Sequence, residues 1–345
     1  MRSSSARQLV SHGRPECFAA LAQSRIGENS ALMPKVPAPP PPLPCDRLKF
    51  AAKIDFVTVV IGRNPPMPPS FDGTPELIRP KKGAVLWELT VHDPSRNDLE
   101  RIVNVYDNPM VMGIEIAVDL APKDSTGAAS RQALLIETFK AVAGRFRPED
   151  QALWGYGSRG GVSAKNGLVQ PLERRQAQTS EQIIYGNKRG FMQAKLYLKT
   201  RDQNADLPLE EHVVRMELSM RRGACMDERL GLDRAQDLLD YAYRATFTKH
   251  FRIIKAPALR NTRRLTPEEI ARREKRMLRA WATAGVAKFP VGDDLPEDTF
   301  HSDERMIAKR QRAQLPQGYY KLLRDQVANA KIGSALMNLQ RRMRA

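Results

Sequence analysis

Cysteine is scarce: Cys17, Cys45 and Cys225 are the only three in 345 residues, and no two form a C-x-x-C pair. Such usage excludes a disulfide scaffold and a cysteine zinc site, and it points to a reducing, cytoplasmic setting. Long apolar runs are also missing. Nothing approaches the roughly eighteen apolar residues of a membrane span, and the first residues lack the apolar core of a secretory signal, so a soluble protein without a membrane partner is expected. The five histidines (His12, His92, His212, His250, His301) fall in no H-x-H or H-E-x-x-H pattern, which excludes zincin chemistry. Magnesium is not excluded, because it prefers carboxylates and water to imidazole. There is no G-K-[ST] phosphate loop and no G-x-S-x-G elbow. The one G-x-G-x-x-G match, Gly155 to Gly160, has neither a clear strand before it nor the required acid after it, and reads as a flexible basic loop.

Acidic residues are in deficit as well. Against 56 Lys and Arg stand 39 Asp and Glu, a net charge of +17. A charge of that sign and size attracts polyanions by counterion release, and nucleic acid is the first candidate. The excess is uneven: residues 251–345 hold 21 Lys and Arg against 10 Asp and Glu. In that stretch Thr266 and Glu269 form a capping box with Pro267 at the first helical position, and the predicted helix carries Arg272, Arg273, Lys275, Arg276 and Arg279.

Composition divides the chain into three. Residues 1–46 form a tail whose Pro34–Pro44 run favours polyproline and buries no core. Residues 47–255 alternate strand and helix patterns, and residues 256–345 form a basic helical region. Strands are predicted at Ile54–Ile61, Ala84–Val91, Val111–Leu120 and His212–Met220, and a β-hairpin over 181–200. Helices are predicted at Asn97–Tyr106, at Ser130–Phe146 with Ala133, Leu134, Ile136, Phe139, Val142 and Ala143 on its apolar face, and at Leu232–Phe251. That order implies an α+β fold with a mostly antiparallel central sheet and flanking helices.

Three carboxylates interrupt apolar strands. Glu115 and Asp119 lie four apart in an alternating strand and share a face, and Glu217 sits within Arg215-Met216-Glu217-Leu218-Ser219. A lone carboxylate of this kind is as often merely solvent-facing; three in one sheet raise a metal site. Beside them the hairpin carries Tyr185 near its turn and Tyr197 on its second strand, among Lys188, Arg189, Lys195 and Lys199. A tyrosine so placed is a packing residue, a phosphate ligand or a nucleophile.

The succession of GIEIAVD (Gly113 to Asp119), IIYGNKRG around Tyr185, Lys195-x-Tyr197-x-Lys199 and Arg215-x-Glu217 resembles the replication initiation factor family. Its members are rolling-circle initiators of staphylococcal-type plasmids, with relatives in filamentous phages and integrative elements. The resemblance spans about residues 50–255 and lies in the order of short motifs. It implies a nickase that cuts one strand of origin DNA through a tyrosine, leaving a 5′-phosphotyrosine and a free 3′-hydroxyl, with Mg²⁺ or Mn²⁺. Carried over, it places the nucleophile on Tyr185 and the metal on Asp119 and Glu217, with Glu115 as a further ligand. DNA contacts would fall to Lys188, Arg189, Lys195, Lys199 and Arg215, and duplex contacts to Arg272, Arg273 and Arg276. The family pattern Tyr-x-Gly-Ser-Arg is not matched at Tyr185, so Tyr156 and Tyr197 stay open as nucleophiles. The expected partner is single- and double-stranded origin DNA, and a host helicase and self-association into a homodimer are further partners to consider. The alternative is a basic DNA-binding initiator or regulator without catalysis.

Overall fold

The alternating stretches pair into one large sheet. The computed structural model of the protein describes residues 43–78, 86–123, 127–144, 151–155, 181–185, 191–202, 205–225, 230–255, 257–259, 262–285 and 320–345. Strands β1 (Leu48–Gly62), β2 (Thr74–Ile78), β3 (Trp87–His92) and β4 (Met110–Pro122) come first, then the short β5 (Val142–Gly144). They are followed by β6 (Gln151–Gly155), β7 (Glu181–Tyr185), β8 (Met192–Lys199), β9 (Arg201–Asp202), β10 (Ala205–Asp206), β11 (Val213–Arg221) and β12 (Phe251–Ile253). Eight strands form the main sheet in the order β2-β3-β1-β4-β11-β8-β7-β6, every neighbouring pair antiparallel. The helices are α1 (Arg96–Val105), α2 (Ala128–Ala141), α3 (Arg222–Cys225), α4 (Asp237–Asp240), α5 (Tyr243–His250), α6 (Pro267–Ala284) and α7 (Gln326–Arg344). The fold is therefore α+β with an antiparallel central sheet and flanking helices.

Side-chain alternation gives this sheet two different faces. On β4, Ile114, Ile116, Val118 and Leu120 have no exposed surface. Their cross-strand neighbours include Val57, Ile54 and Ala52 on β1 and Met220, Leu218, Met216 and Val214 on β11. Leu99 and Ile102 of α1, Leu135 and Phe139 of α2, Phe247 of α5, and Leu336 and Leu339 of α7 join that same core. The residues between them, Glu115, Ala117 and Asp119 on β4 and Arg215, Glu217 and Ser219 on β11, form the rows of the other face.

Two predicted helices are shorter than expected. Helix α2 ends at Ala141 because Val142–Gly144 pairs with β12 as strand β5. Its buried face is Arg131, Leu134, Leu135, Thr138 and Phe139, while Ala133 is exposed. Arg131 can be buried because its guanidinium donates to the carbonyls of Leu209 (3.0 Å) and Glu210. The Leu232–Phe251 segment is broken into α4 and α5, with Tyr241 extended between them. The break seats two buried rings edge to face, 5.1 Å apart, with Tyr243 donating to the Leu238 carbonyl (2.6 Å) and Tyr241 bonded to Thr246 (2.6 Å). Near the C-terminal end of the chain, α7 lies on β1, with Lys331 bonded to the Cys45 carbonyl and Arg342 to the Ala52 carbonyl, each at 2.7 Å.

Asp98 fastens the entry to β2 onto α1. Its carboxylate is fully buried and accepts from the backbone amides of Asp72 (2.7 Å), Gly73 (3.0 Å) and Ser95 (2.9 Å). Glycine is required at 73, where a Cβ would come within 2.3 Å of the His92 carbonyl. Burial alone would raise the Asp98 pKa, but these amides outweigh it and the net shift is downward. Its stabilisation is therefore present above the unfolded value of 3.8 and lost as pH falls through the lower folded value. Asp98→Asn turns an amide NH₂ toward backbone donors and is expected to cost about 2 kcal/mol at neutral pH, measured by urea denaturation, with the difference shrinking in acid.

Candidate active site

The polar face of the sheet carries a cluster built by register. Glu115 on β4 stands opposite Ser219 on β11, Glu217 on β11 stands opposite Lys195 on β8, and Arg215 stands between Asp119 and Tyr197. A third strand contributes through an irregularity. The β1–β4 register shifts between Ile54 and Phe56, leaving Asp55 as the extra residue of a bulge. Asp55, Glu115 and Glu217 thereby bring one carboxylate oxygen each to within 4.8 Å of one another. Sequence reasoning passed over Asp55 inside the apolar run IDFVTVVI. The signal was the one applied to Glu115 and Glu217, an acid interrupting a strand.

Each member has a defined partner. Lys195 Nζ donates to Glu115 Oε2 (3.1 Å) and to Glu217 Oε2 (2.9 Å), while the Tyr197 hydroxyl donates to the other oxygen of Glu217, Oε1. Ser219 donates to Glu115. The side chains of Glu115 and Glu217 are only 5% and 4% exposed, that of Lys195 25%. Arg215 grips both oxygens of Asp119 at 2.7 Å and reaches Asp55 at 3.2 Å. Lys53 pairs with Asp55 (3.0 Å) and with Asp93.

Among the described residues this network is short of positive charge. Five carboxylates (Asp55, Asp93, Glu115, Asp119, Glu217) meet three cations (Lys53, Lys195, Arg215). Adding Lys199 with its partner Asp202 leaves the negative surplus at two. The strain shows in Glu115, whose pKa burial and the charge of Glu217 push up to about 7 against the pull of Lys195 and Ser219. Burial and the Glu217 charge likewise raise the Tyr197 phenol, holding it protonated. A divalent cation fits these residues: the donors are hard carboxylate oxygens, the surplus is two charges, and an ammonium already stands in as the cation between Glu115 and Glu217.

The expected site residues divide on this face. Glu115 and Glu217 come together. Asp119 does not join them, because its cross-strand partner is Arg215, which takes both its oxygens. Tyr185 pairs with Ala194, one position out of the Lys195 row, so its register position belongs to the apolar face, and Tyr197 is opposite Gln182 rather than Tyr185. Among the described residues, Tyr197 is the tyrosine at the carboxylates. Lys195, Lys199 and Arg215, expected on DNA, have their cations on Glu115 and Glu217, on Asp202 and on Asp119 respectively. Lys188, Arg189 and Tyr156 lie outside the described residues. On α6, Arg272 and Arg276 are exposed, as are Arg263 and Arg264 just before it, whereas Arg273 is half-buried and engaged within the protein.

Among the described residues no helix is long and apolar enough to cross a membrane. No protein-family model matches the chain, and no curated protein matches it. Among solved structures the chain is similar to the rolling circle replication initiator protein from Geobacillus stearothermophilus, at 11% identity and a TM-score of 0.34, over 64% of this chain and 92% of that one.

Proposed function

We propose that the protein is a rolling-circle replication initiator that nicks one strand of origin DNA with a tyrosine in a divalent-metal site. The observation that carries this reading is the meeting of Asp55, Glu115 and Glu217 from three adjacent strands with the Tyr197 hydroxyl bonded to Glu217. The net charge of +17 supports a nucleic-acid substrate, and the order of motifs supports the reaction type.

In this reading Tyr197, not Tyr185, is the nucleophile. Its oxygen attacks the scissile phosphorus, the P–O3′ bond breaks, and the 3′-oxygen leaves as a hydroxyl after taking a proton from water. The phenol proton passes to Glu217 Oε1, which already accepts it as a hydrogen bond. A raised phenol pKa makes such a base necessary, because little phenolate exists at neutral pH. Asp55, Glu115 and Glu217 would hold Mg²⁺ or Mn²⁺, which would supply charge stabilisation on the phosphate oxygens.

The test is incubation of supercoiled DNA of the encoding element with the protein and Mg²⁺ or Mn²⁺. Open circles and a detergent-resistant protein–DNA adduct, both abolished by EDTA, are expected. A second reading has its own observation: each carboxylate of the network already has a cation or donor partner, as in a purely structural network of a non-catalytic DNA-binding protein. Binding without nicks or adducts in either metal supports that reading instead.

Duplex capture is assigned to the exposed arginines of α6. Replacing Arg272 and Arg276 by Gln should lower the slope of log K against log salt by about two, one per phosphate contact, and weaken duplex binding at low salt. Cleavage of a short single-stranded oligonucleotide should persist, since it bypasses capture.

A further inference from the structure

The metal site proposed above already contains a cation, and what becomes of it can be read from the geometry. Lys195 Nζ bonds Oε2 of Glu115 and Oε2 of Glu217, two of the three acids that would hold a divalent ion. A divalent ion held by these acids and an ammonium hydrogen-bonded to them would be like charges on shared carboxylates, in surroundings where water screens little. One of them must leave. The carboxylates are fixed on β4 and β11, strands paired on both sides in the middle of the sheet, and are almost fully buried. Lys195 has a flexible four-carbon stem and is a quarter exposed, so it has a route outward.

We propose that Lys195 is the resident counter-cation of the site, holding Glu115 and Glu217 together before metal arrives, and that a divalent ion displaces it outward to meet the DNA phosphate. The exchange prevents the two buried acids from repelling each other in the empty site. It also offers the ammonium to substrate only once metal is in place. Lys195 is in this sense a positioning residue.

The test uses the full-length protein and Mn²⁺ alone, without DNA. Calorimetric titration and thermal unfolding are compared for the wild type and Lys195→Met, and acetylation of lysines in the wild type is followed by mass spectrometry with and without Mn²⁺. Lys195→Met should melt lower without metal and bind Mn²⁺ about tenfold tighter or more, because the competing charge is gone. In the wild type, Mn²⁺ should raise acetylation at Lys195 several-fold while Lys331, bonded elsewhere, stays constant. A wild-type protein that binds Mn²⁺ with Lys195 acetylation unchanged overturns the exchange, whatever Lys195→Met does and even if that variant does not fold. If neither protein binds Mn²⁺, the metal reading itself fails and the exchange falls with it.

Discussion

Tyr197→Phe is expected to abolish the covalent DNA adduct, lowering cleavage by about a thousandfold or more, while Tyr185→Phe leaves it intact. The contrast follows from register. Tyr197 shares the polar row with Lys195 and Arg215 and donates to Glu217, whereas Tyr185 pairs with Ala194 in the row of the apolar face. Phe at 197 keeps the ring and removes one hydroxyl, so the urea midpoint should move little. DNA affinity should move little as well. Gel detection of the adduct on a labelled single-stranded origin oligonucleotide decides the matter. An adduct that survives in Tyr197→Phe and vanishes in Tyr185→Phe would reverse the assignment.

The second large effect is on stability. Arg215 is 6% exposed, grips Asp119 with two bonds and touches Asp55, so Arg215→Leu takes the guanidinium from Asp119, leaves Asp55 to Lys53 and increases the negative surplus of the face from two to three. Breaking a buried pair on one side costs about 3 kcal/mol or more, and urea denaturation at neutral pH should show a loss of that order. Arg215→Lys should lose less, since an ammonium makes one contact where the guanidinium fork makes two. The pH dependence has a definite sign. Burial alone would raise the Asp55 pKa, but Lys53 and then Arg215 outweigh it and hold the carboxyl below its ordinary 3.8. Stabilisation from this group is thus present above 3.8 and lost as pH falls through the folded value. The gap between wild type and Arg215→Leu should accordingly narrow as the buffer is taken below about pH 4, as Asp55 loses its charge. Asp119→Asn in the Arg215→Leu background should recover part of the loss at neutral pH.

Much of the fold could be read from the chain because strand periodicity is local. From Ile114 to Leu120 the strand alternates, and the structure places the even-numbered residues in the core with the helices and Glu115 and Asp119 on the opposite face. The capping boxes at Ser95 and at Thr266 mark the starts of α1 and α6, since such a cap uses residues three apart. Helix ends were less accessible. The pairing of β5 with β12 and the seating of Tyr241 and Tyr243 depend on segments far apart in sequence, and they override a helical pattern that local propensity supports.

For the site, the residue types and two of the three acids, Glu115 and Glu217, were available from the sequence, since an acid in an apolar strand stands out wherever its neighbours lie. Which acid joins them was not. Asp119 and Asp55 look alike in one dimension, and the choice between them rests on two tertiary facts: Arg215 takes both oxygens of Asp119, and the pairing of β1 with β4 brings an oxygen of Asp55 beside Glu115 and Glu217. The same holds for the tyrosines. Sequence places Tyr185 and Tyr197 on the two arms of one hairpin, but a strand has period two, and a shift of one residue moves a side chain to the other side of the sheet. Composition alone determined a basic, cysteine-poor chain, and periodicity alone an antiparallel α+β fold. Only strand register, a property of pairs of distant segments, decided that Tyr197 and Lys195 meet Glu217 while Asp119 is held by Arg215.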